Sequence, residues 1–316
     1  MCQHIYRALL ICLLAALAHA TPVNEQYQAE YDRDIQAIFQ QIKQQHFKSY
    51  AEKIDFISQQ FLGKPYLLFA LGEGNNSPFD QRPVYRTDYF DCETLVDTTL
   101  ALAKSRNMND FKQHINAIRY QHNIPSFMSR NHFISLDWNS NNQQKGYIRN
   151  ITQNIKHQHR AIFKTASAYI NKPNWYQHLS KARLYLPTAT PAKIDEQLQK
   201  LRAMGILTQG QDVVIDYVPT TAFFNANGEA NQAILEQIPN GSILEIVRPN
   251  WHLQHIIGTN LHISHLGFVI LKKGKPYFRN ASSLHNIVND ELLIDYLHKT
   301  LESPSIKGIH LERPLP

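Results

Sequence analysis

Cys92 and His265 are residues whose types suit nucleophilic catalysis. A thiol nucleophile needs a base that takes its proton and a third group that orients the base. Asp91 is a good helix N-cap, so the sequence predicts Cys92 at the first helical position. The free N–H groups and dipole of a helix start stabilise negative charge, and we therefore expect this position to favour the thiolate. The backbone N–H of Cys92 could also donate to a developing oxyanion.

The candidate base lies in a predicted β-hairpin. Strand patterns at 265–271 and 276–281 flank a Lys-Gly pair at 273–274, which suits a two-residue turn. The register set by that turn places Asn280 diagonally beside His265 on the same sheet face. The Asn280 carbonyl would then hold one imidazole N–H while the other ring nitrogen faces Cys92. Ser282, directly opposite His265, is the competing orienting residue.

The surrounding elements indicate an α+β fold. Apolar residues recur at helical spacing within 35–42, 54–61, 91–105, 110–120, 194–204 and 292–297. Further strand patterns occur at 213–218, 243–247 and 308–311. Helices that come first and antiparallel strands that follow are typical of α+β proteins. In the helix at 91–105, Cys92 belongs to the apolar face, and Asp97 is predicted to lie outside that face.

The number of cysteines in the mature protein depends on a predicted export signal. Residues 8–18 are apolar, and the Ala-His-Ala sequence at 18–20 matches a signal peptidase site. We therefore predict a signal peptide at 1–20, cleaved after Ala20, and a periplasmic or secreted protein, with a retained anchor as the alternative. Cys2 and Cys12 would leave with the signal, and Cys92 would stay. A lone thiol in an oxidising compartment is either a buried core residue or a reactive one.

Composition excludes several classes of protein. The 316 residues are 43% hydrophobic and 18% charged, which excludes a disordered or low-complexity chain. The net charge is +6 and the isoelectric point is about 9.1. The sequence has no run of Lys and Arg of the kind that binds a phosphate backbone, so we predict no nucleic-acid partner. No later segment has the apolar length of a membrane-spanning helix, and we predict no stable membrane insertion after signal cleavage.

A metal centre is the main alternative to thiol chemistry. Sixteen histidines are present, and the pairs His252–His255 and His262–His265 have i, i+3 spacing. On an extended strand such residues point to opposite faces, whereas catalytic zinc needs three convergent protein ligands. We therefore predict no metal and no other cofactor.

Four short motifs follow one another in order along the chain. They are FDCETLVD at 90–97, SRNHF at 129–133 followed by Asp137 and Trp138, HISHLG at 262–267, and RNASS at 279–283. This ordered set resembles the N-acetylmuramoyl-L-alanine amidase-like branch (DUF1460) of the NlpC/P60 cysteine hydrolase superfamily. The similarity extends from about Tyr85 to the C-terminus.

The resemblance implies a papain-like NlpC/P60 core, with a Cys-bearing helix packed on an antiparallel sheet and N-terminal helices. Residues 21–316 would form a single domain with a large insertion at about 107–240. The implied reaction is hydrolysis of the amide bond between N-acetylmuramic acid and L-Ala, so peptidoglycan or muropeptides are the expected partners. By position, Cys92 would be the nucleophile, His265 the base and Asn280 the orienting residue, where many members are expected to have His. The family pattern usually has Asp where His262 stands.

The insertion is expected to form walls over the cleft and to narrow substrate choice. Arg130, His132, Asp137 and Trp138 match the family motif there, and we predict that they bind substrate together with Tyr85. An arginine can hold a carboxylate through two hydrogen bonds, and a tryptophan can lie against a sugar face. The structural alternative is an Arg130–Asp137 ion pair with Trp138 packed in the core.

Two other functions remain open from the sequence. A γ-D-glutamyl-diamino acid endopeptidase of the same fold would use the same residues, because both bonds are amides. A non-catalytic cell-wall-binding protein would keep the fold without turnover.

Overall fold

The computed structural model describes residues 25–316. The predicted signal peptide, with Cys2 and Cys12, lies outside these residues. Within the described part of the chain, no helix is long and apolar enough to cross a membrane.

Helices occupy the N-terminal third and recur between the later strands. They are α1 (Glu25–Lys43), α2 (Tyr50–Gln59), α3 (Cys92–Lys104), α4 (Met108–Arg119), α5 (Asn139–Gln144), α6 (Lys172–Gln177), α7 (Pro191–Ile206), α8 (Gln232–Leu235), α9 (Gln254–Ile257) and α10 (Leu293–Thr300). A π-helical turn covers Ile134–Trp138, and 3₁₀ turns cover Thr152–Asn154, Lys181–Arg183 and Thr220–Phe223.

The strands begin after α5 and end near the C-terminus. They are β1 (Ile148–Asn150), β2 (Lys156–His157), β3 (Arg160–Ala161), β4 (Lys164–Ile170), β5 (Gln211–Pro219), β6 (Ile243–Trp251), β7 (Leu261–Lys272), β8 (Lys275–Ser282), β9 (Ile287–Leu292) and β10 (Gly308–Pro314). The large sheet runs β4-β5-β10-β6-β7-β8-β9, β1 pairs with β10, and each neighbouring pair is antiparallel. This mixed architecture confirms the antiparallel sheet and the N-terminal helices that the sequence predicted.

The β7–β8 hairpin has the predicted turn and register. Lys273 and Gly274 both have positive φ, 49° and 79°, and this backbone joins antiparallel strands through a two-residue loop. Pairing runs from Lys272 opposite Lys275 to Phe268 opposite Arg279. The hairpin therefore carries His265 and Asn280 on adjacent strands near its open end.

Strand β7 is buried on both faces. Leu266 and Phe268 pack into a core formed with α1–α4, whereas Val269 packs into a second core with β10 and α10. A strand that is covered on both faces needs apolar side chains on both, so its apolar residues are continuous in the sequence and do not alternate with polar ones. The sequence of β7 has this pattern.

Helix α3 is enclosed over most of its length. Every residue from Thr94 to Ala103 is buried, including Asp97, which the sequence placed outside the apolar face. The face that carries Asp97 is buried as well, because α2, α4 and the sheet surround this helix. The Asp97 carboxylate accepts a hydrogen bond from the indole N–H of Trp138, which satisfies part of its hydrogen-bonding capacity.

Candidate active site

The start of α3 is fixed by a reciprocal cap. The Asp91 carboxylate accepts the Thr94 backbone N–H at 2.9 Å, and the Asp91 N–H donates to the Thr94 hydroxyl at 2.9 Å. The other carboxylate oxygen of Asp91 accepts the backbone N–H of Phe69 at 3.0 Å. Because both oxygens of Asp91 are engaged, the backbone that presents Cys92 has one well-defined position.

Helix α3, which begins at Cys92, packs against β7. Burial raises the pKa of the Cys92 thiol, and the carboxylates of Asp91 and Glu93 raise it further, whereas the backbone of Leu266 and Glu93 lowers it only in part. At rest the thiol is therefore protonated, contrary to the expectation of a thiolate formed by the helix start. The physical reason is that desolvation and two neighbouring carboxylates outweigh the favourable backbone dipoles.

His265 and Asn280 are hydrogen-bonded, at 2.9 Å between Nε2 and Oδ1. The Asn280 amide nitrogen donates to the Phe278 carbonyl at 3.3 Å, which fixes Oδ1 as the acceptor toward the imidazole. Nε2 must therefore carry the proton, and in the neutral ring Nδ1 has a free lone pair. A neutral imidazole with one nitrogen held and the other unprotonated is suited to act as a base.

Strand β7 has an irregularity immediately before His265. Ile246 pairs with His265 and Val247 pairs with Ile263, so Ser264 is an extra residue in the ladder. Bulges of this kind re-aim side chains and are frequent beside active sites.

The His265 ring lies among aromatic side chains, 5.6 Å from the ring of Phe278 and 6.5 Å from that of Tyr296. Burial lowers the pKa of His265, whereas the Asn280 hydrogen bond and the Asp91 charge act in the opposite direction. The influence of Asp91 on His265 reflects how close the start of α3 lies to the open end of the hairpin.

Ser282 and His262 take other positions. The Ser282 hydroxyl accepts the backbone N–H of His285, so it serves the turn after β8 rather than the imidazole. His262 is buried, with Nε2 3.1 Å from the Val213 carbonyl and Nδ1 accepting the Asn250 N–H. Both ring nitrogens of His262 are thus engaged by backbone, and the ring ties β7 to β5.

Arg130 belongs to a buried ion cluster. Its guanidinium donates to the Glu73 carboxylate, 2.7 Å from Nε, and to Asp80 at 2.9 Å. Asp137 instead pairs with Lys172 at 2.5 Å. The Arg130–Asp137 ion pair of the structural alternative is therefore not formed, because Glu73 and Asp80 supply the carboxylates to Arg130.

Trp138 and Tyr85 are both packed in the main core. Trp138 is fully buried, so both ring faces meet protein, and this position contradicts a stacking role against sugar. The Tyr85 hydroxyl donates to Asp32 on α1 at 2.6 Å, and its ring packs edge-on against Phe111. Tyr85 is likewise positioned as a structural residue rather than a substrate contact.

His132 is half-buried in an aromatic group. Its ring centroid lies 4.7 Å from those of Phe127 and Trp175, and Nε2 lies 2.7 Å from the Phe127 carbonyl. Burial, with the charges of Arg130 and Arg183, lowers the pKa of His132 well below its usual value. His132 is therefore uncharged near neutral pH.

Sequence reasoning missed two groups beside the candidate pair. Burial and the charges of Asp97 and Asp91 raise the pKa of Glu93 to about 8. Tyr296 of α10 stacks near His265, and burial raises its pKa. Only the position of Glu93 directly after Cys92 was a sequence signal, since nothing local connects Tyr296 to the hairpin. Across residues 25–316, no group of three or more His, Cys, Asp and Glu side chains is arranged to hold a metal ion.

Known proteins resemble this chain in sequence and in fold. A family model described as N-acetylmuramoyl-L-alanine amidase-like matches residues 56–304. A solved structure from Legionella pneumophila, assigned to DUF1460, is 38% identical with a TM-score of 0.89, covering 92% of this chain and 96% of that one. No protein of curated function matches the sequence.

Two more distant solved structures share the fold. One is described as an N-acetylmuramoyl-L-alanine amidase from Bacteroides uniformis, 22% identical with a TM-score of 0.59, covering 84% of this chain and 99% of that one. The other is described as a putative xylanase from Bacteroides fragilis, 22% identical with a TM-score of 0.55, covering 81% and 98%. At these identities the likeness concerns the fold alone.

Proposed function

Because the chain belongs to the N-acetylmuramoyl-L-alanine amidase-like family, we propose that it is an exported cysteine amidase acting on peptidoglycan fragments. The proposed bond is the amide between the lactyl group of N-acetylmuramic acid and L-Ala. We further propose a papain-like NlpC/P60 core within a single domain at 21–316, in which α3 carries the nucleophile and the β7–β8 hairpin carries the base.

The observation that carries the proposal is the His265–Asn280 hydrogen bond beside the start of α3. The bond leaves Nδ1 of His265 unprotonated, and α3, which begins at Cys92, packs against β7, the strand that carries His265. This placement supports a nucleophile, a base and an orienting amide at one end of the sheet, which is the arrangement that acyl transfer needs.

The proposed reaction begins from a neutral thiol and a neutral imidazole. Nδ1 of His265 takes the Cys92 proton as sulfur bonds to the lactyl carbonyl carbon, and the imidazolium then protonates the departing L-Ala nitrogen. This step breaks the amide and leaves a thioester on Cys92. Water, deprotonated by His265, attacks the thioester, releases the lactyl carboxylate and restores the thiol. Asn280 would stabilise each imidazolium through Oδ1.

The test is hydrolysis of a defined muropeptide with mass analysis of the products. We expect a peptide that begins at L-Ala from the unchanged protein, and no turnover from Cys92→Ala, because no other thiol remains in the mature chain. Ser282→Ala is the matched control, since its hydroxyl caps a turn two residues beyond Asn280 and should be dispensable for turnover.

Other products would decide between the remaining functions. Release of an L-Ala–D-Glu fragment would identify a γ-D-glutamyl endopeptidase instead. Turnover by Cys92→Ala that is abolished by EDTA would replace thiol chemistry with a metal mechanism. Binding of muropeptide without any product would point to a cell-wall-binding protein.

A further inference from the structure

Arg183 lies in the 3₁₀ turn Lys181–Arg183, more than eighty residues after Cys92 in sequence. Its guanidinium carbon is 3.6 Å from the centroid of the Phe69 ring and 5.9 Å from that of Trp175. A planar guanidinium at the first distance lies on the ring face, which holds its plane while leaving its N–H edge for a ligand.

Phe69 connects this arginine to the candidate nucleophile. The Phe69 backbone N–H donates to Asp91, the residue immediately before Cys92. Phe69 also has a φ of 59°, a conformation that is uncommon for a residue other than glycine and is held here by that hydrogen bond. Glu93, on the other side of Cys92, is close enough that its carboxylate, when ionised, raises the pKa of Arg183, as Asp80 does more strongly. Arg183 therefore stands at the start of α3.

One donor of the Arg183 guanidinium has no acceptor within the described part of the chain. Its Nε is buried without a hydrogen-bond partner, and it forms no ion pair with any residue in 25–316. Burial, followed by the charge of Arg130, lowers the pKa of Arg183 to about 9.

Nearby arginines differ from Arg183 in this respect. Arg130 is paired with Glu73 and Asp80, and Arg82 is paired with Asp80 at 3.0 Å. Glu73 and Asp80 are thus already engaged, and the Nε of Arg183 is left without a partner in a partly desolvated place. An anion supplied from outside would remove that cost, because a charged hydrogen bond there is only weakly screened.

We propose that Arg183 binds a carboxylate of the substrate, so that the site prefers stem peptides with a free carboxylate on the residue after L-Ala. This inference rests on the proposed amidase function. The chemical class follows from the substrate: a γ-linked D-Glu keeps its α-carboxylate free, one residue beyond the scissile amide. Amidation of that group gives D-isoglutamine, which has nearly the same shape and no charge.

The experiment compares hydrolysis of two muramyl tripeptides, in which the second residue is linked through its γ-carboxyl to the same third residue. One tripeptide has D-Glu with a free α-carboxylate at the second position, and the other has D-isoglutamine there. For the unchanged protein we expect kcat/KM to be about 10- to 100-fold higher for the acid, mainly through KM. Arg183→Gln should lower the value for the acid by that factor and leave the amide substrate little changed. Arg183→Lys should keep part of the preference, because it retains charge but loses the two-donor fork.

Arg82→Gln is the matched control, since it removes the same charge from an arginine that is already paired with Asp80. We expect this variant to keep the preference for the acid. Equal rates on both tripeptides with the wild-type protein, or the same preference in Arg183→Gln, would overturn the inference and leave the amidase proposal standing. Failure to hydrolyse either tripeptide, or any larger muropeptide, would overturn the amidase proposal itself.

Discussion

A single amide orientation decides which nitrogen of His265 is available for chemistry. Asn280 presents its oxygen to Nε2 because its nitrogen is committed to the Phe278 carbonyl. The bond matters most when the ring is charged, since a hydrogen bond to a charged group is worth about 1.5–3 kcal/mol. The contribution of Asn280 should therefore grow as the imidazolium forms during the reaction.

We predict that Asn280→Ala lowers kcat by about 10- to 100-fold, the loss that corresponds to one such bond. The pH dependence of kcat/KM gives a second readout. In the wild-type protein, kcat/KM should fall toward low pH as His265 becomes protonated, and we call this part of the profile the acid limb. Since burial lowers the pKa of His265, the midpoint of the acid limb should lie below pH 6.5, the usual histidine value. Losing the Asn280 bond, which raises that pKa, should move the limb to still lower pH.

Ser282→Ala should leave both the rate and the acid limb in place. A wild-type rate in Asn280→Ala, together with a loss in Ser282→Ala, would transfer the orienting role to the hydroxyl. If Asn280→Ala lowers the rate but does not shift the pH midpoint of the acid limb, Asn280 stabilises strand β8 and does not act on the imidazole.

The β7–β8 hairpin holds its two functional side chains at a fixed separation because Gly267 has no side chain. A Cβ at this position would lie 2.4 Å from the Arg279 carbonyl oxygen and 2.9 Å from the Asn280 Cβ. Backbone on the neighbouring strand cannot yield to such a contact without displacement. The absence of one methyl group thus sets how close β8 approaches His265.

We predict that Gly267→Ala lowers kcat/KM by at least about tenfold and destabilises the fold by about 1–3 kcal/mol, as overpacking usually does. Thermal unfolding and steady-state rates measure the two effects. Gly274→Ala is the control: the turn has positive φ but open space, so it should lower stability while preserving the rate of the folded protein. Full activity in Gly267→Ala would show that β8 can shift without disturbing Asn280.

Local signals explain which elements could be predicted from the sequence. The Lys273-Gly274 turn fixed the hairpin register, and Asp91 marked the start of α3, so both site elements were accessible. Strand β4 was missed because it is an exposed edge strand with few apolar residues. The partners of Arg130 were also missed, since Glu73 and Asp80 are fifty or more residues away and no periodic pattern connects them.

Across the molecule, Arg279 joins the N-terminal helices to the sheet. It is almost fully buried on β8, donates to Asp55 and Ser58 of α2, and forms two bonds with Asp290 of β9. Burial would raise the pKa of Asp290, but the hydrogen bonds and charges of Arg279 and Lys272 outweigh it and lower that pKa. The layer carrying Cys92 and the layer carrying His265 therefore depend on one arginine for part of their alignment.

We predict that Arg279→Met lowers the free energy of unfolding by about 2–4 kcal/mol, because the Asp290 carboxylate loses one of its two cationic partners and keeps only Lys272. A group whose folded pKa is lowered stabilises the protein above its unfolded pKa, and this stability is lost as pH falls through the folded value. The difference in the free energy of unfolding between variant and wild type should therefore be largest at neutral pH and should shrink below about pH 4. Urea unfolding at pH 7 and pH 3 measures this gap.

Arg106→Met is the matched control, since the Arg106–Asp110 pair lies at the surface and should contribute little. An unchanged urea midpoint in Arg279→Met would show that the helices and sheet are held together by apolar packing alone. A gap that stays constant down to pH 3 would show that Asp290 is not the group through which Arg279 acts.

The protonated Cys92 has a practical consequence for storage and handling. Peroxide attacks the thiolate far faster than the neutral thiol, so a sulfur that gives up its proton only during turnover oxidises slowly between reactions. An enzyme exported as proposed would meet oxidants without a cellular reducing system to repair it. The high pKa of the Cys92 thiol would thus also lengthen the working life of the protein in air.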